Sequence, residues 1–106
     1  QHQGESYLSL GKFEQAREFF INYNQLIEEL FQANPHSYQL INGRAISYYK
    51  LGDISRAMQQ FVQAKAYWVQ AQDIWRQLHQ ATGIPQLAGY LETVAQDLER
   101  LKASRD

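Results

Sequence analysis

The apolar residues recur at alternating steps of three and four along most of the chain. That spacing collects side chains on one face of an α-helix, and no segment alternates with the period of two expected of a strand. The clearest runs are Phe13, Ala16, Phe20, Tyr23, Ile27, Leu30 and Ala64, Trp68, Ala71, Trp75, Leu78. Two more are Tyr38, Ile41, Ala45, Tyr48, Leu51 and Leu87, Leu91, Val94, Leu98, Leu101. The pattern predicts an all-α fold.

The two prolines, which interrupt helices, indicate where the predicted helices begin and end. Pro35 and Pro85 each lie in a short polar joint, where a helix cannot continue. Asn42-Gly43 is compatible with a hairpin turn, but the three-four rhythm continues through it and favours a glycine inside a helix. The predicted helices span about 1–10, 13–33, 37–58, 61–82 and 86–103.

An internal repeat supports these boundaries. A shift of 48 residues aligns apolar and small positions without a gap, whereas a shift of 41, which also matches Leu10-Gly11 to Leu51-Gly52, leaves nine residues unmatched before Pro85. The aligned pairs are Gly4 and Gly52, Leu10 and Met58, Phe13 and Phe61, Ala16 and Ala64, Phe20 and Trp68, Leu26 and Ile74, Leu30 and Leu78. The register places Gly11-Lys12 over Gln59-Gln60, so a turn is predicted at both points.

The repeated residues resemble the tetratricopeptide repeat. A leucine-glycine pair, a small residue and a later aromatic carry the resemblance: Leu51-Gly52, Met58, Phe61, Ala64, Trp68 and Ala71 in one copy, Gly4, Tyr7, Leu10-Gly11, Phe13, Ala16 and Phe20 in the other. The period exceeds the usual 34 residues by 14, which is about four helical turns. The segment NGRAISYYKLGD is similar to long-period bacterial arrays, cyanobacterial ones among them.

The resemblance implies a single domain over residues 1–106, built as a right-handed solenoid of antiparallel helix pairs. One repeat would cover about 1–35, the next about 37–83, and a closing helix about 86–103. It also implies that the chain is a piece of a longer array.

The composition of the chain argues against several classes of function. Ten basic and eleven acidic residues are interspersed, so no strongly positive face is expected for nucleic acid or an anionic membrane. No stretch approaches the roughly 18 apolar residues of a membrane span. The absence of cysteine favours a reducing cytoplasm and removes thiolate metal sites.

Candidate chemistry is sparse. The segment 47–50 reads S-x-x-K, as in serine acyl enzymes, but the companion motifs are missing. Glu28 and Glu29 point about 100° apart on a helix, and the two tryptophans fit the core better than a ligand site. The histidines are too far apart in sequence for a metal motif: His2, His36 and His79. We therefore predict no enzyme activity, cofactor or metal.

The function that the resemblance implies is protein or peptide binding on a concave face. Its predicted residues are Glu5, Leu8, Asn42, Ile46, Tyr49, Asp53, Arg56, Glu92, Gln96 and Glu99. The mixture of apolar, basic and acidic groups suits a peptide with basic and apolar side chains. The alternative is self-association, in which the joint at Gln59-Gln60 straightens and two chains exchange helices to form a homodimer.

Overall fold

The computed structural model of the protein describes the backbone of residues 2–105 and the side chains of residues 11–102. Over that backbone the helices are α1 (His2–Ala33), α2 (Tyr38–Ala57), α3 (Phe61–Thr82) and α4 (Pro85–Arg105), with no strand among residues 2–105. The all-α prediction is confirmed, and the last three helices lie within two residues of their predicted bounds. No helix in this part of the chain is both long and apolar enough to cross a lipid bilayer.

Each joint between two helices has a different local structure. Ser37 caps the start of α2, because its Oγ accepts a hydrogen bond from the backbone N–H of Leu40 at 3.4 Å. Gly83 ends α3 in the left-handed conformation, with φ of 68°. Between α2 and α3, Gln59 adopts φ of 63° and the N–H of Gln60 returns to the carbonyl of Ser55 at 2.8 Å. The predicted turn at Gln59-Gln60 is confirmed.

The predicted turn at Gly11-Lys12 is wrong. Helix α1 runs without interruption from His2 to Ala33, so residues 1–10 do not form a separate helix. A glycine inside a helix costs about 1 kcal/mol, which a long helix tolerates when no proline or left-handed residue accompanies it. The glycine therefore stays helical in the first copy, whereas the second copy turns without one.

The core lies along α3, which packs between α2 and α4. The extensive helix contacts join successive elements, α1 with α2, α2 with α3 and α3 with α4. The apolar stripe predicted on α3 is confirmed, since all five of its residues are buried. The other buried apolar residues of the main cluster lie on the neighbouring helices: Ala45, Leu87, Val94 and Leu101.

Helices α2 and α3 approach each other closely where Gly52 meets Trp68. A Cβ atom on Gly52 would lie 2.9 Å from Trp68 Cγ and closer still to two other ring atoms. Trp68 is 1% exposed, so its ring has no free space into which it could move. Only glycine fits at this point of α2.

Helix α1 is attached to α2 by polar as well as apolar contacts. Asn24 Nδ2 donates to Ser47 Oγ at 2.6 Å, and the Arg44 guanidinium pairs with the Glu28 carboxylate. The same guanidinium lies 5.1 Å from the centre of the Phe31 ring, a cation–π contact. These contacts attach the side of α1 that faces α2.

The apolar stripe predicted as core on α1 is only partly buried. Ile27 is buried against α2, whereas Tyr23 and Leu30 of the same stripe remain exposed. The prediction assumed a second helix against α1, and α2 covers one side only.

We predict that Gly52→Ala lowers the free energy of unfolding by about 1 to 3 kcal/mol, because the added methyl overpacks the Trp68 ring. Gly89→Ala is the matched control, since no atom lies within 4 Å of its Cβ position on α4. It should raise stability by up to about 1 kcal/mol through helix propensity. Urea denaturation of both variants measures the difference, and equal effects would contradict the close approach.

We also predict that Gln59→Gly stabilises the chain by up to about 1 kcal/mol, because glycine adopts a positive φ without strain. Gln63→Gly, within α3 and exposed, should instead destabilise by about 1 kcal/mol. Thermal melting of the two variants tests the left-handed turn. A loss of stability at residue 59 as large as that at residue 63 would rule it out.

Candidate binding groove

A shallow groove of about 170 Å³ opens between α2 and α4, with α3 as its floor. Three helices contribute to it because α3 holds α2 and α4 on either side. The lining residues are Ile46, Tyr49 and Lys50 from α2, Trp75 from α3, and Tyr90 and Thr93 from α4. We call this surface the α2/α4 groove.

The groove rests on an aromatic cluster formed by Tyr49, Trp68, Trp75 and Tyr90. The ring centres of Trp75 and Tyr90 are 5.2 Å apart, and Tyr49 lies 5.8 Å from Trp75 and 6.2 Å from Trp68. Separations of this size are typical of favourable aromatic pairs. The cluster therefore joins three helices and fixes the shape of the groove.

Both indole N–H groups are bound internally. Trp75 Nε1 donates to Asn42 Oδ1 at 2.9 Å, and Trp68 Nε1 donates to the carbonyl oxygen of Tyr49 at 3.1 Å. A buried indole normally needs such a partner. The hydrogen bond to Asn42 thus fixes the orientation of the Trp75 ring, whose apolar surface lines the groove.

A hydrogen bond ties α2 to α4 at one edge of the groove, where the Tyr49 hydroxyl donates to the Asp97 carboxylate. Burial, together with this hydrogen bond and the nearby charges of Asp53 and Asp97, raises the pKa of Tyr49 well above its usual value. The hydroxyl therefore stays protonated and remains a donor.

Two carboxylates, Asp53 and Asp97, lie near this edge of the groove together with the cations Lys50 and Arg56. Burial raises the pKa of Asp53, and the charge of Asp97 raises it further, while Lys50 and Arg56 act in the opposite direction. Negative charge is thus held beside the groove at some electrostatic cost. A cationic group docked there would reduce that cost.

The size of the groove limits what it can hold. Pockets for whole small molecules typically measure about 300 to 1,000 Å³. A groove of about 170 Å³ instead suits one or two side chains of a larger partner. Within the described part of the chain, no group of three or more His, Cys, Asp or Glu side chains is placed to hold a metal ion.

No protein-family model matches this chain, and neither the curated proteins nor the solved structures with which it was compared give a significant match.

The structure brings together only some of the residues predicted for the concave face. Ile46 and Tyr49 line the groove, while Asn42 lies beneath it, bonded to Trp75. Arg56 is exposed on α2, and Asp53 is half-buried. The three α4 residues are exposed and do not line the groove: Glu92, Gln96 and Glu99. Glu5 and Leu8 lie outside the residues whose side chains are described.

Sequence reasoning missed four lining residues. Trp75 belongs to the buried stripe of α3 and is 3% exposed, yet it also forms the groove floor. The periodicity identifies such a residue as core but does not show that the core reaches the surface there. Lys50, Tyr90 and Thr93 lie outside the stripes that the spacing picks out.

The serine of the S-x-x-K segment is structural. Ser47 is fully buried, accepting from Asn24 Nδ2 and donating to the carbonyl of Arg44 at 2.8 Å. Its hydroxyl therefore helps to join α1 to α2 and does not face solvent.

The raised pKa of Asp53 predicts a pH dependence of stability. The folded chain binds the proton of the Asp53 carboxyl more tightly than the unfolded chain does. Protonation of Asp53 therefore stabilises the fold at low pH. This stabilisation is lost as pH rises from the ordinary carboxyl pKa of 3.8 through the raised value. Asp53→Asn should therefore gain stability relative to wild type as pH rises from about 4 to about 7.

Urea denaturation across that pH range measures this gain. The matched control is Asp73→Asn, which removes a carboxylate from an exposed position on α3. We expect little pH-dependent gain in the control. A gain no larger in Asp53→Asn than in Asp73→Asn would contradict the assignment.

Proposed function

We propose that the protein is a protein- or peptide-binding scaffold that uses the α2/α4 groove. The observation that carries this proposal is an apolar groove with an aromatic floor, open to solvent between two helices and bordered by charged residues. Its volume fits side chains of a partner better than a free small molecule. Binding, without catalysis or a cofactor, is the function proposed.

We further propose that the helices form a solenoid similar to the tetratricopeptide repeat. Three features support it: the 48-residue repeat, the pairing of successive helices, and the small residues at the α2/α3 crossing. In such an arrangement α2 and α4 are the first helices of successive pairs and line the same concave face. A bacterial cytoplasmic array is the setting that the resemblance suggests.

The groove also favours a particular kind of peptide. Its apolar lining suits an aliphatic or aromatic anchor, and the carboxylates of Asp53 and Asp97 suit a basic residue next to that anchor. Lys50 and Arg56, on the same helix, can meet an acidic residue or a carbonyl farther along. An extended or helical peptide that combines apolar and basic side chains is the proposed ligand.

Self-association by helix exchange is the second candidate. The left-handed backbone at Gln59 favours it, because a straight joint would release that strain. A continuous helix over 38–82 would span roughly 68 Å at 1.5 Å per residue. It would also separate Gly52 from Trp68, so the second chain would have to restore that contact. An exchanged dimer should decrease in Gln59→Gly.

The groove hypothesis is tested with peptides selected on the wild-type chain from a random display library and then measured individually by fluorescence anisotropy. Ile46→Glu places a charge in the apolar wall at a residue already 36% exposed, so the fold should persist. We expect this change to weaken binding at least about tenfold, or roughly 1.4 kcal/mol.

Val62→Glu is the matched control, since Val62 is an exposed apolar residue on α3 outside the groove. Its affinities should stay within about twofold of wild type. Peptides that bind wild type and Ile46→Glu equally well would exclude the α2/α4 groove as the site, provided that both variants melt like wild type.

A further inference from the structure

Helices α2 and α4 present their groove residues in matching order. Both helices fold back on α3 through short joints, so they run in the same direction. On each helix these residues follow at a step of three and then a step of four, which keeps them on one face. They are Ile46, Tyr49 and Asp53 on α2, and Tyr90, Thr93 and Asp97 on α4. The groove therefore has an apolar level at one end and a carboxylate level at the other.

The apolar level suits a hydrophobic anchor. Ile46 and Tyr90 border the floor formed by Trp75, and the Tyr90 ring packs on Trp75 with centres 5.2 Å apart. Ile46 is 36% exposed, so this wall of the groove is open to solvent. An aliphatic or aromatic side chain placed here would bury apolar surface against three helices.

The carboxylate level has no directly paired cation in the described part of the chain. Among the side chains of residues 11–102, neither Asp53 nor Asp97 takes part in an ion pair. The Tyr49 hydroxyl donates to Asp97, but it is neutral and does not compensate the charge. The two carboxylates therefore remain available to a cation from a partner.

Lys50 and Arg56 reduce the electrostatic cost of this level without removing it. They lie one turn before and one turn after Asp53 on α2, and both are exposed. Their charges lower the pKa of Asp53, but burial and the charge of Asp97 raise it, and the net shift is upward. A cation in direct contact with the carboxylates would lower the remaining cost.

An arginine side chain matches the carboxylate level better than a lysine. Its planar guanidinium has five N–H donors and can bond to two carboxylates at once, here one from each helix. On its way from the apolar level it would pass the face of Tyr49, where a guanidinium gains a cation–π contact. A lysine ammonium is a more strongly hydrated point charge and lacks the planar fork.

The distance between the two levels limits the spacing of the ligand side chains. Seven residues separate the levels on each helix, which is about 10 Å at 1.5 Å per residue. In an extended peptide, side chains two residues apart lie on one face and roughly 7 Å apart, and the length of an arginine side chain covers the rest. Adjacent residues point to opposite faces and do not reach both levels.

We propose that the α2/α4 groove selects an extended peptide with an arginine two residues from an apolar anchor, the guanidinium bridging Asp53 of α2 and Asp97 of α4. This inference rests on the proposed function of the groove and adds the identity, spacing and placement of the ligand side chains. The anchor lies at the level of Ile46, and the arginine lies towards the C-terminal ends of both helices.

Nuclear magnetic resonance titration of the full chain, which measures affinities down to the millimolar range, tests the proposal. The probe is the acetylated and amidated peptide Ser-Gly-Phe-Ser-Arg-Gly-Ser. Citrulline in place of arginine keeps the shape and removes the charge, so it should weaken binding at least about fivefold. Lysine should weaken it at least about twofold. Exchanging the arginine with the serine before it should weaken binding as much as citrulline does, because the spacing is then wrong.

Variants of the two carboxylates identify the contact. In Asp53→Asn and in Asp97→Asn the preference for arginine over citrulline should fall to about twofold or less, because the charge that distinguishes the peptides has lost a partner. Asp73→Asn is the matched control, since it removes an exposed carboxylate from α3 outside the groove. The full preference for arginine should remain in the control, and melting curves verify that each variant is folded.

Two results would overturn the inference while leaving the groove as the binding site. One is a citrulline peptide that binds like the arginine peptide, and the other is an unchanged preference for arginine in both carboxylate variants. In either case Ile46→Glu would still weaken binding. Failure of the proposed function differs, because Ile46→Glu would then leave the affinity for every peptide unchanged. A probe peptide that shifts no resonance at millimolar concentration would also overturn the inference.

Discussion

The close approach of Gly52 to the ring of Trp68 fixes how α2 packs on α3, the helix pair on which α1 and α4 rest. It brings the backbone of α2 against a large, fully buried side chain of α3, an arrangement that any Cβ on residue 52 would prevent. With α2 held there, Trp68 reaches the carbonyl of Tyr49, one turn earlier on α2. The left-handed turn at Gln59 joins the two helices within three residues and so lets α3 fold back onto α2.

The candidate function depends on the same contact. Because Trp68 fixes α2, Tyr49 packs against both tryptophans while its hydroxyl bonds to Asp97 on α4. This bridge joins α2 to α4 at one edge of the groove, and Trp75 contributes to its floor. The half-buried carboxylate of Asp53 lies beside it and carries an electrostatic cost in the absence of a partner. Costs of this kind are common where a surface is suited to binding rather than to stability alone.

Sequence reasoning succeeded where one strong periodicity controls the outcome. The alternating steps on α3 predicted its five buried residues, and the 48-residue register located the turn at Gln59 although no glycine or proline marks it. The same register failed at Gly11, because a glycine is a weak helix breaker when no second apolar face forces the chain to fold back. Only some of the residues that line the groove are predictable from the sequence. Ile46 and Tyr49 follow from repeat position, whereas the contribution of Tyr90 depends on how α4 lies across α3, which local spacing does not encode.

The position of Trp68 over Gly52 can be observed directly by nuclear Overhauser spectroscopy on the labelled chain. The Trp68 indole protons attached to Cδ1 and Nε1 should show strong cross-peaks to the Gly52 Hα proton that stands where a Cβ would be, because these ring atoms lie closest to that position. At least one Hα should also be displaced strongly by the ring current of the indole. Cross-peaks from the Trp68 indole that connect only to residues of α3 and α4, with the Gly52 Hα protons at ordinary helical shifts, would contradict the account.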